Sequence, residues 1–319
     1  MTNIGNRPTV GTLLSLHALT SVHWGAGASI GTVDLPIQRE RHTDWPNGAG
    51  SALKGVLRDA CREGIQQNGD RKAADEHKAI KCLFGSAKSG SEESNAGALS
   101  VTDARLLAMP VRSLKGVFAW ISCPTVIDRL KRDASLAGLS LPADPYEPTE
   151  QHACVTSNCP LKVSNNSYLQ LDDETLKISA TNVDALATWI ANNCLPDSDE
   201  YRSTRDRFVR QFVVVPDNVF THFSKYATEV VARIGLDYNT RTVKTGALFY
   251  QELLPAESLM YSVLLVNRSR VANDSGIEID SLTSLQGLLK SVRTLQVGGD
   301  ETTGKGFCAL HFSSKGGEQ

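Results

Sequence analysis

The chain has 319 residues, a formal net charge of −2, 41% hydrophobic and 21% charged residues. These are the proportions of an ordinary globular protein, long enough for one large domain or two intimate ones. No run of about 20 apolar residues offers a membrane span, and the near-neutral charge excludes a protein that coats nucleic acid through bulk charge, while leaving room for a local basic groove.

The opening MTNIGNRPTV lacks the apolar stretch of a signal peptide, so a cytoplasmic protein is expected. The seven cysteines, 61, 82, 123, 154, 159, 194 and 308, are odd in number and form no CxxC pair. They read as reduced thiols, several of them buried. Cys154 and Cys159, with His152, are the closest group; four intervening residues and the lack of a second pair argue against structural zinc.

Residues 10–22, VGTLLSLHALTSV, place Leu14, Leu16 and Ala18 on one face of a strand. Loop sequence follows through IGTVDLPIQRERHTDWP to PNGAG. Ser51 then stands where a cap belongs, before a helix to about Gln66 whose buried stripe is Leu53, Val56, Leu57, Ala60 and Cys61. Residues 67–97 are polar and read as an excursion from the core. ALSVTDARLL and LKGVFAWIS read as strands, and Pro124 suits the first turn of a helix over TVIDRLKRD, where Asp128 and Arg132 are spaced as a surface ion pair.

Residues 138–180 carry four prolines and read as irregular, so that 138–211 forms a second excursion with one helix at 183–194. FVVVP is a short buried strand, DNVFTHFSKY a helix and TEVVARIGL a strand. Segment 237–255 has turn residues between strand-like runs and reads as a long hairpin. Strand SLMYSVLLV, helix DSLTSLQGLLKSVR, strand TLQVG, a glycine loop and strand GFCALHF complete the chain. The order β-α-β-β, an elaborate middle, then β-β-α-β lacks continuous βαβ alternation. It predicts an α+β fold with an antiparallel sheet, in the form of a ferredoxin-like core carrying long insertions.

Three segments could carry chemistry. The loop QVGGDETTGKGF lies between two strands and lacks the GK[ST]-helix ending of a P-loop. It is either a tight turn needing positive φ or a backbone nest for an anion, with Lys305 adding charge. GSALKG and RSLKG share a Ser/Leu/Lys/Gly order; in the first, Ser51 can cap and Lys54 can reach a phosphate at the helix N-terminus, although a capped amphipathic helix explains Ser51 equally well. Asp34 has no carboxylate nearby except Glu40, and a strong metal site needs two or more protein oxygens. Taken alone it reads as a turn former, and His23 as a satisfied structural histidine. No Ser/His/Asp order and no HExxH motif supports hydrolysis by another route.

The segments SVHWGAG, TVDLPIQRERHT, GSALKGVLR, LSVTDARLLAMPVRSLKGVFAWISCP, RLKRD, TEVVARI, GALFYQELLP and QVGGDETTGKGF occur in one order and span most of the chain. Together they resemble the RAMP superfamily, and within it the repeated backbone subunit of the type III-B (Cmr) CRISPR effector complex. Residues 67–97 and 138–211 are the least family-like, and two local departures are Trp24 after His23 and TDWPNGAG after His42. The resemblance implies one RAMP domain over 1–319, with an RRM-like palm, a finger insertion and a thumb hairpin. It implies copies of the chain stacked in a filament on a guide RNA, with a complementary target RNA, a large polymerase-like subunit, a small helical subunit and capping RAMP subunits as partners. It also implies cutting of the target beside flipped nucleotides to leave a cyclic phosphate, with Asp34 at the catalytic position.

A cyclic phosphate requires attack by the ribose 2′-OH in line with the leaving 5′-oxygen, which an unstacked nucleotide permits. A divalent ion, Mg²⁺ or Mn²⁺, shared between Asp34, phosphate oxygens and water would make one carboxylate sufficient. On this reading His23, Arg39, Arg41, Ser51, Lys54, Arg58, Arg112 and Lys305 are expected at RNA. Asn239, Thr240, Arg241, Thr242, Lys244 and Thr245 are expected near the distorted nucleotides.

Overall fold

The structure, a computed structural model, describes residues 10–65, 71–86, 96–143, 147–237, 239–267, 285, 287–289 and 292–314. Strand β1 (Val10–Ala18) buries Leu14 and Leu16 as its alternation predicts, and Leu13 as well, because it lies in the middle of the sheet. After a short β2 (Asn47–Gly48), helix α1 (Gly50–Ile65) turns Leu53, Leu57 and Cys61 into the core. Ser51 is exposed inside the first turn and does not cap it; the Gly50 amide donates to the Asp103 carboxylate at 2.7 Å, and the Ala49 amide to Gln38 Oε1 at 3.2 Å. Long-range carboxylate and amide side chains have taken the role assigned to the local hydroxyl.

Residues 67–97 are less of an excursion than their polarity suggests. They hold α2 (Arg71–Glu76) and α3 (Lys78–Phe84), and α3 buries Ile80, Cys82, Leu83 and Phe84. Next come β3 (Leu99–Val101), β4 (Ala104–Arg112), β5 (Phe118–Ser122) and α4 (Pro124–Leu136), opened by Pro124 as expected. Asp128 and Arg132 form no ion pair among the described residues; on the next turns Arg129 and Asp133 are the ones engaged, with Glu40 and Arg105.

The described part of 138–180, read as irregular, carries three strands, β6 (His152–Val155), β7 (Tyr168–Leu171) and β8 (Glu174–Ala180), and the helix expected at 183–194 is present as α5 (Asp184–Cys194). Helix α6 (Arg202–Gln211) comes after it. Strand β9 (Phe212–Val214), helix α7 (Asp217–Tyr226), β10 (Glu229–Leu236), β11 (Val243–Leu253), β12 (Leu259–Val266), β13 (Thr294–Gln296) and β14 (Phe307–Ser313) follow. The helix expected over 280–293 falls largely outside the described residues; Leu285 and Leu289 from it are buried.

The main sheet runs β13-β14-β1-β12-β4-β5-β9-β6-β8-β7. Within it β14, β1, β12 and β4 lie side by side and pair antiparallel. Taking the four in chain order, their spatial order is fourth, first, third, second, which is the ferredoxin-like palm. The strands of the middle insertion extend the same sheet beyond β4 rather than building a separate layer. All seven cysteines are buried and stand outside any disulfide. No helix among the described residues is long and apolar enough to cross a membrane.

Strands β10 and β11 form a separate two-stranded ribbon. Its turn lies at 237–242, so the hairpin spans Glu229–Leu253, and the 237–255 segment supplies only the tip and the second strand. Val230, Ile234 and Leu248 of the ribbon are each more than half exposed.

Candidate functional site

The loop after β1 folds back on itself and then onto the ribbon. His23 anchors its start: its carbonyl accepts from the Gly299 amide at 2.9 Å, and its ring Nδ1 lies 2.8 Å from the Glu252 carbonyl. Gly25 bridges Ile37, the Ala26 amide donates to Pro36, and the Ser29 amide donates to the Asp34 carbonyl at 2.8 Å. The returning arm adds to β11 in parallel. The Leu35 amide donates to Tyr250, and the Glu252 amide donates back to Leu35, both at 3.0 Å.

This pairing fixes Asp34. Its Oδ2 accepts from the Tyr250 amide at 2.7 Å, and its Oδ1 accepts no hydrogen bond among the described residues. A half-buried carboxylate therefore stands at the root of the ribbon, gripped on one oxygen and open on the other.

The charged run 39–42 divides. Arg39 is an internal strut: it donates to the Asp44 carbonyl at 2.7 Å, the Ser224 carbonyl at 3.0 Å and the Glu252 carboxylate at 2.5 Å. Glu252 also accepts from the Ile37 amide and the Thr228 hydroxyl, so one carboxylate ties the loop to both sides of the ribbon's base. Glu40 receives two bonds from Arg129, which lies over the Trp45 ring and donates to the exposed His42. Arg41 is exposed. The loop is thus built by Arg39 and Glu40, leaving Arg41 and His42 at the surface.

The other residues expected at RNA fall into two sets. Lys54 is half-buried and donates from Nζ to the Leu99 carbonyl at 2.7 Å; burial, and then the neighbouring Arg58, hold its ammonium pKa below the ordinary value. Arg58 pairs with Asp75 at 3.2 Å. Both therefore have partners inside the chain. Arg112 is exposed at the end of β4. Asn239, Thr240, Arg241, Thr242 and Lys244 crown the ribbon, where the Asp237 carboxylate accepts from the Asn239 and Thr240 amides. The side chain of Thr245 lies outside the described residues.

The glycine loop is a clamp. The amides of Val297, Gly299, Gly304, Lys305 and Gly306 all donate within the chain, which leaves little of an anion nest. A Cβ on Gly298, whose φ is 78°, would sit 2.2 Å from the His23 carbonyl oxygen, so only glycine allows this approach. Lys305 is half-buried beside it.

Among the described residues no three His, Cys, Asp or Glu side chains gather where they could hold a metal ion. The donor set at Asp34 is one carboxylate with one open oxygen. That fits an ion held chiefly by phosphate and water, and does not fit a protein cage.

Sequence reasoning passed over Gln251 and Glu252, which organise the site. Their signal is two adjacent polar residues inside the apolar run ALFYQELLP, and both prove buried.

A ferredoxin-like palm with a glycine-rich clamp and an added ribbon defines a class of α+β protein in which a ferredoxin-like core carries insertions. The chain belongs to the RAMP superfamily, whose family profile matches residues 15–309. It is 35% identical over 300 residues to the CRISPR system Cmr endoribonuclease Cmr4 of Pyrococcus furiosus, a match covering 92% of this chain and 93% of the relative. It is 24% identical to the CRISPR system CMR subunit Cmr4 of Saccharolobus solfataricus, over 93% and 94% of the two chains. Among solved structures, oligomeric Cmr4 from Pyrococcus furiosus superposes with a TM-score of 0.70 at 28% identity, covering 95% of this chain and 98% of that one. A chain of the type III-B Cmr-beta complex bound to cognate target RNA shares the fold at a TM-score of 0.70 and 19% identity, over 95% and 96% of the two chains.

Proposed function

We propose that this chain is a guide-RNA-binding backbone subunit of a type III-B CRISPR complex and that it cuts target RNA. The observation that carries the reading is the Asp34 carboxylate, fixed by the Tyr250 amide at the root of an exposed ribbon, in a chain 35% identical to a Cmr endoribonuclease. In the reaction the ribose 2′-oxygen attacks the adjacent phosphorus and the bond to the 5′-oxygen breaks. The 2′-OH gives up its proton and the leaving oxygen gains one. Asp34 Oδ1 is the open acceptor that would orient the 2′-OH or hold a divalent ion; Oδ2 is committed to the backbone. A Mg²⁺ or Mn²⁺ ion, when bound, supplies neutralisation of charge developing on the phosphate. The side chains of Arg41, Arg112, Arg241 and Lys244 are exposed and hold no bonded partner among the described residues, so they are available to RNA. Lys54, Arg58 and Arg39 would have to give up the partners they hold.

Copies of the chain, the guide, the target and the other complex subunits are the partners of this reading; one relative is known as an oligomer. The test is target cleavage by the reconstituted complex, wild type against Asp34→Ala, with and without chelator. The expected outcome is loss of cutting in the variant, with guide binding and assembly retained, and loss in the wild type on chelation. Cutting that survives in the assembled Asp34→Ala complex would give the reaction to a partner and leave this chain a structural RNA-binding subunit.

A further inference from the structure

The reading of Asp34 as catalytic raises the question of what holds β11 steady behind it. The Leu35 bridge lands on Gln251, the residue between Tyr250, whose amide grips Asp34, and Glu252. The Gln251 side chain is 3% exposed and points the other way, with its Nε2 donating to Asp300 Oδ2 at 2.5 Å. The same carboxylate oxygen accepts from Arg233 of β10 at 3.1 Å. Asp300 thus joins both strands of the ribbon to the glycine loop.

That loop is itself immobilised. Asp300 has a left-handed φ of 65°, its carbonyl accepts from the Lys305 amide and the Thr303 hydroxyl, and the adjoining Gly299 amide is bonded to His23. A continuous set of bonds therefore runs from the palm, through Asp300 and Gln251, to the backbone that orients Asp34. No other described carboxylate bridges β10 and β11 to the glycine loop.

We propose that Asp300 is a positioning residue for RNA cleavage, acting on the Asp34 carboxylate through Gln251. It touches neither substrate nor ion. Its role is to fix the ribbon's root at the separation from the palm that places Asp34 against the scissile phosphate. The proposal rests on the catalytic reading of Asp34, and its failure is separable from the failure of that reading.

The experiment is single-turnover cleavage by the fully reconstituted complex with wild type, Asp300→Ala, Gln251→Ala, the double variant and Asp34→Ala. Target concentration is varied, and melting and assembly are measured in parallel. With Asp300→Ala the maximal rate should fall about tenfold, the order expected for a small misplacement of a reacting group, while the half-saturating target concentration stays within about twofold. The double variant should be no slower than the worse single one, because both act through the same contact. An unchanged maximal rate in Asp300→Ala overturns the proposal. So does a loss that tracks weakened target binding, failed assembly or a lowered melting temperature, or a double variant whose defects multiply. If Asp34→Ala still cuts, the catalytic reading itself falls and the positioning role falls with it; full activity in Asp300→Ala beside an inactive Asp34→Ala removes the positioning role alone.

Discussion

His311 is a buried histidine whose ionisation couples this fold to pH. It lies on β14 opposite Ser15 of the central strand, with ring Nε2 3.1 Å from the Ser313 hydroxyl. Burial pushes its imidazole below the ordinary 6.5; Asp197 and the Asn192 backbone pull upward, Arg205 pushes down, and burial prevails. A depressed folded pKa means the unfolded chain binds the proton more readily. The stability this group contributes is therefore complete above 6.5 and is lost as pH falls through the folded value. Melting temperature measured from neutral into mildly acidic buffer should decline, and His311→Gln should flatten that decline; identical slopes in the two proteins would remove His311 as its source. Asp34 shows the limit of reading single residues from sequence. By local rules it was a turn former, because its decisive bond is to an amide 216 positions away, which no spacing pattern encodes. Only the resemblance singled it out. Gln251 and Glu252 were visible as polar interruptions, but their partners, Asp300 and Arg39, were not.

Between elements, the ion pair of Arg39 with Glu252 joins the Asp34 loop to β11. Arg39 is 16% and Glu252 9% exposed at the side chain, so removing one partner leaves the other charge poorly solvated. Arg39→Ala should cost about 3 kcal/mol of unfolding free energy, the range for a broken buried pair, read from chemical denaturation. It should also leave the salt dependence of guide binding by the folded protein unchanged, whereas loss of a phosphate contact would reduce that slope by about one. A reduced slope without a stability loss would return Arg39 to the RNA. The elements that sequence patterning identified include β1, α1, β12 and β14, whose apolar residues form a continuous run or a stripe. Helix α6, RSTRDRFVRQ, escaped it because only Phe208 and Gln211 are buried, which leaves no apolar period to detect. Strands β7 and β8 were hidden among residues read as irregular because only Leu169, Leu171 and Leu176 of them are buried, too few to make a pattern.

At the scale of the whole molecule, the ferredoxin-like order was legible because it depends only on the sequence of elements, while the ribbon's placement depends on contacts between distant segments. That division has an energetic counterpart. Strand β1 is flanked on both sides by β12 and β14, and its side chains lie in the main core, so its amides open only when the palm does. Among the described residues the ribbon beyond the Leu35 bridge has two strands only; its outer residues Ile234, Leu236, Val243 and Leu248 are half exposed, and an isolated pair of strands is marginal by itself. Its stability is supplied at the root, by Asp34 on Tyr250, Arg39 on Glu252 and Asp300 on Gln251 and Arg233. Hydrogen exchange on the free chain should therefore form a gradient: slow at Gln251–Leu254, faster toward Val243 and Leu236, and slowest in β1. On assembly with guide and target RNA, protection should spread outward along the ribbon, because an exposed apolar hairpin placed in a duplex exchanges water for bases. Uniformly slow exchange along the free ribbon would mean that its two strands hold themselves, and the anchoring role of its root would be lost.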